Sequence, residues 1–151
     1  MSNSSLTEPE CSMGRVVVSA RIDNLGDLYS VRRRLMDAAD VRWVEVDKAL
    51  IDTGATCLGL PPSLIEQLGL LVTAQRSVNT PTGVRQANVY EAVRLRVQDR
   101  DCVVDVTEVA ESCPVLIGQV PLELMDFVVC PRSQQITGNP EHGGEQMYDL
   151  F

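Results

Sequence analysis

The stretch Ala49–Leu70, "ALIDTGATCLGLPPSLIEQLGL", decides how the rest of the chain is interpreted. Its apolar start is typical of a buried strand, yet that strand ends at the carboxylate of Asp52. A lone buried carboxylate costs several kcal/mol unless it is paired, hydrogen-bonded or protonated. Thr53 can bond the nearby backbone through its hydroxyl, and Gly54 permits a bend or a close backbone approach. The triplet can be a simple turn, but its position favours a carboxylate presented for chemistry.

Composition indicates an ordinary globular protein. The chain has 151 residues, of which 44% are hydrophobic and only 4% aromatic, so the core must consist mostly of Val, Leu and Ile. Such a core favours strands. The polar segment 1–14 is predicted to be frayed. Residues 15–151 are predicted to form a single domain, because no linker, repeat or low-complexity block interrupts them.

Charge and hydropathy limit the possible partners and location. The formal net charge of -8 disfavours nucleic-acid binding. The basic cluster Arg32–Arg34 is predicted to be a solvated face, with an anion-binding or partner-docking patch as the alternative. The first residues lack the apolar core of a secretory signal, and no apolar run approaches the roughly 18 residues that span a bilayer. We therefore expect a cytoplasmic protein that does not bind membranes.

Cysteine and histidine content argues against a metal site. The five cysteines are odd in number and form no C-x-x-C pair, so we interpret them as free thiols. The single histidine, His142, has Glu141 and Glu145 near it, but a solvated tail is the preferred interpretation over a metal site. Cys57 lies close to the Asp-Thr-Gly triplet. It would need a base to act as a nucleophile, and His142 is distant in sequence.

The first half of the chain shows several short strands. Pro62 can begin a helix and Gly69 can end it, whereas residues 28–40 fit either a short helix or a loop. The remaining assignments are strands at Arg15–Asp23, Val41–Val46 and Ala49–Asp52, with turns at Asn24–Asp27 and at residues 47–48.

The second half shows two hairpins and a further strand. A strand from Ala74 leads through a turn to a long strand, 85–98, whose apolar residues are predicted to share one face: Ala87, Val89, Val93, Leu95 and Val97. Glu91 interrupts that face and is interpreted as an edge or interface contact. The other predicted elements are a strand at Cys102–Val109, a short strand before Gly118 with a helical turn from about Val120, and a final hairpin of Phe127–Cys130 with Gln134–Thr137.

Three elements together resemble the retropepsin-like, retroviral-type aspartic proteases, especially their small prokaryotic single-domain members. "ALIDTGAT" is similar to the active-site loop of that family. An apolar-apolar-Gly triplet, here Leu116, Ile117 and Gly118, follows later and leads into a short helix. Between them the family has a flap hairpin with a Gly-bearing tip, which here corresponds to Thr80, Pro81, Thr82 and Gly83.

The resemblance implies a fold and a mechanism. The fold is all-β, a closed acid-protease barrel with one or two short helices and a flap hairpin. The activity is that of a homodimeric aspartic endopeptidase, in which Asp52 of each chain forms a dyad that shares one proton and activates water. Thr53, Gly54, Ala55 and Thr56 would support the loop. The flap would close over a peptide or protein substrate bound as an added strand. Neither a metal nor an organic cofactor is implied.

Two departures from the family pattern leave an alternative open. Retroviral members carry an Arg after the second Gly, paired with an acid of the first loop. Here Gln119 and Thr56 occupy those positions, which is consistent with a neutral hydrogen bond instead. The flap tip is also less rich in glycine. The alternative function is a non-catalytic dimeric module that binds peptides or proteins on the same fold. The apolar chain end, Met147–Phe151, could join a dimer sheet or cap its own barrel.

Overall fold

The computed structural model describes residues 15–150, so the predicted frayed segment 1–14 lies outside the described residues. Short strands dominate this part of the chain. The strands are β1 (Val16–Asn24), β2 (Trp43–Ile51), β3 (Leu58–Leu60), β4 (Val72–Thr80), β5 (Gly83–Val97), β6 (Arg100–Glu108), β7 (Leu116–Ile117), β8 (Phe127–Cys130) and β9 (Gln135–Gly138). The helices are α1 (Leu25–Arg32), α2 (Pro62–Leu68) and α3 (Gln119–Leu124), with single 3-10 turns at Ala38–Asp40 and Pro140–His142.

Six strands close into a barrel. They are hydrogen-bonded in the order β1-β2-β7-β3-β6-β5, and β5 pairs again with β1 through partners such as Ile22 and Leu95. β4 extends the sheet beyond β5, while β8 and β9 form a separate hairpin. The predicted all-β closed barrel is therefore confirmed. It carries three short α-helices within the described residues, where one or two were expected.

Aliphatic side chains fill the barrel, as the low aromatic content required. Ile22, Leu58, Leu60 and Leu95 are fully buried in one continuous core. Each such side chain stabilises the fold by about 1.5–3 kcal/mol relative to its exposed state. The barrel interior thus provides a rigid support for the loops at its rim.

A β-bulge changes the predicted face of β5. Tyr90 and Val93 lie opposite Val106 and Val104 of β6, so two residues of β5 face a single residue of the partner strand. Tyr90 and Val93 consequently both point to the main core. All five predicted apolar residues are buried. The prediction that they share one face is wrong, because Ala87 and Val89, which precede the bulge, lie on the other side of the sheet.

Glu91 lies within this bulge and bonds within its own chain. Its Oε1 accepts a hydrogen bond from the backbone N–H of Leu71 at 2.9 Å, and its own N–H donates to the Leu71 carbonyl at 3.0 Å. The carboxylate therefore fastens the start of β4 to the bulge. Glu91 is therefore part of the β-bulge. Its contact with Leu71 joins two neighbouring segments of the same chain.

The predicted turn at Asn24–Asp27 is wrong, because these residues begin α1. The Asn24 side chain accepts from the N–H of Asp27 at 3.0 Å and donates to the carbonyl of Leu68 at 2.7 Å. Asp27 is buried and forms an ion pair with Arg42 at 2.8 Å, which lowers the pKa of the Asp27 carboxyl. Of the two structures that fit residues 28–40, a short helix forms at their start, and it spans Leu25–Arg32.

The predicted turn at Asp47 and Lys48 is also wrong. β2 runs without interruption from Trp43 to Ile51, and the irregularity in its pairing with β1 falls between Val18 and Ala20. Asp47 and Lys48 are both exposed, so their polarity reflects a solvent-facing stretch of strand. The prediction for α2 is confirmed: Pro62 is its first residue, and Gly69 ends it in the left-handed conformation with φ 65°.

The segment around His142 is docked on the barrel, so the interpretation as a solvated tail is wrong. His142 Nδ1 and Asp126 Oδ2 lie 2.5 Å apart, and the N–H of Met147 donates to the same carboxylate oxygen at 3.1 Å. The buried Arg100 donates to the carbonyls of Met125, Asp126 and Gly144. These contacts hold the residues after β9 in place. Tyr148 and Leu150 remain exposed, and within residues 146–150 no strand forms.

This docking predicts a pH-dependent contribution to stability. The bond to Asp126 raises the pKa of His142, and the bond from His142 lowers the pKa of Asp126. The ion pair therefore contributes below the ordinary pKa of His and loses strength as the pH rises through the raised pKa of His142. It is lost at the acidic end as the pH falls through the lowered pKa of Asp126.

We expect His142→Gln to reduce the free energy of unfolding more at about pH 6 than at about pH 9. Urea denaturation of the wild type and the variant at both pH values measures the two differences. Equal differences at the two pH values would show that the charge of His142 contributes nothing.

Candidate active site

Parallel strand pairing fixes the position of Asp52. Leu50 and Ile51 at the end of β2 pair with Leu116 and Ile117 of β7. The N–H of Asp52 donates to the Ile117 carbonyl at 2.9 Å, which continues this ladder by one residue. The acid thus stands at the point where a core strand leaves the barrel.

A tight turn holds the carboxylate of Asp52. Its Oδ1 accepts from the N–H of Gly54 at 3.0 Å, and its backbone carbonyl accepts from the N–H of Ala55 at 3.0 Å. In this single chain Asp52 is half-buried, whereas Thr53, Gly54 and Thr56 are exposed. The sequence predicted a buried acid, but one side of the carboxylate is open. The loop therefore presents Asp52 at the surface of the chain.

The second motif forms the base of this loop. The N–H groups of Gly118, Gln119 and Val120 donate to the carbonyls of Cys57, Ala55 and Thr56 at 2.9, 2.8 and 3.0 Å. A Cβ atom on Gly118 would lie 2.5 Å from the Cys57 carbonyl oxygen and 2.6 Å from that of Ala55. Only glycine permits such a close approach. The structure therefore joins the Asp-Thr-Gly loop directly to the Leu116–Gly118 motif.

Backbone groups replace the side-chain pair of the retroviral pattern. The Gln119 side chain donates to Oε2 of Glu123 at 3.0 Å, within α3, and the Thr56 side chain is exposed. The neutral hydrogen bond expected between Gln119 and Thr56 does not form: the Gln119 N–H donates to the Ala55 carbonyl, and the Thr56 carbonyl accepts from the N–H of Val120. The loop is thus held without an ion pair.

The hairpin β4–β5 carries the predicted flap tip. Thr80 pairs with Gly83 across the two-residue turn of Pro81 and Thr82. The Thr80 hydroxyl donates to the Gly83 carbonyl at 2.7 Å and accepts from the N–H of Thr82 at 3.3 Å. Pro81, Thr82 and Gly83 are exposed. These bonds shape the tip from its own residues, so the hairpin end is a separate feature from the Asp52 loop.

One face of the sheet, which we call the Asp52 face, was missed from the sequence. Leu50 and Asp52 are two residues apart and point to the same side. Directly paired residues share a face, and successive pairings run from Leu50 across four strands. The Asp52 face therefore comprises Asp52, Leu50, Leu116, Gly59, Thr107 and Val89. The alternation of side chains along β2 predicts that Leu50 and Asp52 lie on the same face. The other members can be identified only from the register of the paired strands.

The alternative chemistry at Cys57 lacks a base. Cys57 is exposed, but the one histidine of the chain is engaged by Asp126. Within residues 15–150 no cluster of three His, Cys, Asp or Glu side chains is placed to hold a metal ion. The same residues contain no helix that is long and apolar enough to cross a membrane.

Comparison with known families agrees with this geometry. A family model described as aspartyl protease matches residues 40–138, which include the Asp52 loop, the β4–β5 hairpin and the Gly118 motif. The match covers well over half of the chain. The chain therefore belongs to the retropepsin-like aspartyl protease family. No curated protein matches the chain.

The packing at Gly118 predicts a large effect of a single methyl group. Because the added Cβ meets two backbone carbonyls that cannot rotate away, Gly118→Ala should lower the free energy of unfolding by about 1–3 kcal/mol. It should also displace the Asp52 loop. Urea denaturation measures the first effect.

Gly26→Ala in α1 is the matched control, because its Cβ comes no closer than 3.3 Å to the Asn24 side chain. A Gly118→Ala protein as stable as the Gly26→Ala protein would contradict the close approach.

Proposed function

We propose that the protein is an aspartic endopeptidase that acts as a homodimer, with one Asp52 from each chain in a single active site. The observation that carries the proposal is the half-open Asp52 carboxylate on an exposed loop that backbone hydrogen bonds hold in place. One carboxylate of this kind cannot supply both an acid and a base. The chain contains a single Asp-Thr-Gly, so the second carboxylate must come from another copy.

The proposed mechanism uses a shared proton. Two carboxylates in contact cannot both be ionised easily, so the dyad holds one proton between them. The ionised member acts as general base on a water molecule that lies between the two. The protonated member donates a hydrogen bond to the scissile carbonyl and polarises it. The water oxygen attacks the carbonyl carbon while its proton passes to the ionised carboxylate. As the peptide bond breaks, a proton passes from the dyad to the leaving amine.

The remaining loop residues position the dyad. The Gly54 N–H orients the Asp52 carboxylate, and the loop carbonyls are held by the start of α3. The Thr53 side chain is exposed, and within residues 15–150 its hydroxyl bonds no other group. In the proposed dimer it is available to bond the loop of the partner. The β4–β5 hairpin would close over an extended peptide and exclude water from the reaction.

The decisive variant is Asp52→Asn. It keeps the shape of the side chain and the Gly54 hydrogen bond but removes the proton-sharing carboxylate. We expect cleavage of a denatured, fluorescently labelled casein to fall by at least about 100-fold, with the dimer intact by light scattering. Asp47→Asn, an exposed acid of β2, is the matched control and should retain full activity.

Two outcomes would contradict the proposal. Activity that survives in Asp52→Asn would place the chemistry elsewhere. A wild type that binds peptides as a dimer but cleaves none between about pH 3 and pH 8 would support the non-catalytic binding module instead. The cytoplasmic location stays a prediction.

A further inference from the structure

Two arginines of the β4–β5 hairpin lie on the Asp52 face. Arg76 pairs with Ala87, and Arg85 pairs with Val78, so these four side chains share one side of the hairpin. Ala87 is two residues before Val89, a member of the Asp52 face, and both precede the bulge. The same sheet surface therefore runs from the active-site acid to the two guanidinium groups.

The burial pattern shows that part of this surface is covered. Ala87 and Val89 are 4% and 3% exposed although they lie outside the main core cluster. Their side chains are covered on the side of the sheet that faces away from the barrel interior. Arg76 and Arg85 follow toward the flap tip and are exposed. They stand where an extended chain under the hairpin would pass.

The two arginines form one cationic pair. They occupy diagonal positions across β4 and β5, and diagonal neighbours of this kind lie about 7–8 Å apart. Residues of an extended ligand strand that point to the same side are also about 7 Å apart. The spacing thus matches two alternate side chains of a bound peptide.

Neither arginine is neutralised within the described residues. Other strand arginines have carboxylate partners, as in Arg21 with Asp23 at 3.1 Å and Arg94 with Asp101. No ion pair involves Arg76 or Arg85 within residues 15–150, and the Arg85 guanidinium donates one long hydrogen bond of 3.4 Å to the Gln86 carbonyl. In a chain of net charge -8, acids are abundant, yet among residues 15–150 none forms an ion pair with these two groups.

We propose that Arg76 and Arg85 determine substrate specificity by binding Asp or Glu side chains of the peptide. This inference rests on the proposed protease function. A guanidinium group binds a carboxylate through two parallel hydrogen bonds. Closure of the hairpin over the peptide removes water and strengthens this attraction. The net charge of the protein repels long polyanions such as nucleic acids much more strongly than a short peptide with two acids.

The test uses two synthetic peptides that differ only in charge. One carries Glu at alternate positions on both sides of a cleavable apolar centre, and the other carries Gln there. We expect the wild type to cleave the Glu peptide with about tenfold higher kcat/KM. In Arg76→Gln/Arg85→Gln this preference, measured as the ratio of kcat/KM for the two peptides, should fall to about one.

The matched control is Arg32→Gln/Arg132→Gln, which removes the same charge from two exposed arginines outside the hairpin. It should keep the preference of the wild type. Arg76→Glu/Arg85→Glu gives a gain of function that misfolding cannot produce. It should cleave a peptide with Lys in place of Glu better than the wild type does.

Binding separates this inference from the proposed function. The same peptides, labelled with fluorescein, are titrated with the Asp52→Asn protein, and anisotropy is measured without cleavage. Tighter binding of the Glu peptide, lost when both hairpin arginines are replaced, supports the specificity role even if no chain ever cleaves. Equal binding of the two peptides to the Asp52→Asn protein, or a preference that survives the replacement, overturns it.

Discussion

The whole site depends on the contact between the Asp52 loop and the start of α3. Three consecutive N–H groups at Gly118–Val120 bond three carbonyls of the loop, and this requires the absence of a side chain at Gly118. The parallel pairing of β2 with β7 brings the two segments to the same edge of the barrel. Since backbone groups make all of these bonds, the loop can tolerate the loss of the ion pair at Thr56 and Gln119. The position of Asp52 follows from the backbone alone.

The register of the sheet determines which residues of the β4–β5 hairpin lie on the Asp52 face. A barrel strand normally shows one face to the core and the other to solvent. The bulge between Tyr90 and Val93 changes this relation along β5. Beyond the bulge, toward the flap tip, the residues that continue the Asp52 face become the ones that are covered. The pairing of Gly59 with Thr107 and of Thr107 with Val89 connects the active-site loop to the hairpin face that carries Arg76 and Arg85.

Features that depend on local chemistry could be predicted from the sequence. Pro62 and Gly69 bound α2 because each favours its own end of a helix. Asp52 was found because a carboxylate at the end of an apolar strand is costly unless it is paired, hydrogen-bonded or protonated, and Gly118 was found through the resemblance to the retropepsin-like family. The polar segment Asn24–Asp27 was mistaken for a turn, since helix caps and turns use the same residue types. Only the distant partners Arg42 and Leu68 distinguish the two.

Features that depend on pairing could not be predicted in this way. The bulge in β5 leaves the alternation of apolar residues almost unchanged, so the sequence predicted one face where there are two. The docking of His142 depends on Asp126 and, for the following segment, on Arg100. These residues lie 16 and 42 positions away along the chain, and nothing local indicates that they meet. Long-range contacts decided the outcome at each of these places.

The most direct test of the account is subunit mixing, because its central claim is that two chains form one site. A fixed amount of wild type is incubated with increasing Asp52→Asn protein until the subunits have exchanged, and cleavage of labelled casein is then measured. With nine variant chains for each wild-type chain, the activity per wild-type chain should fall to about one tenth, since most wild-type chains then face a partner without a carboxylate. Activity that stays constant at every ratio would mean that one chain suffices, and the shared dyad would be wrong.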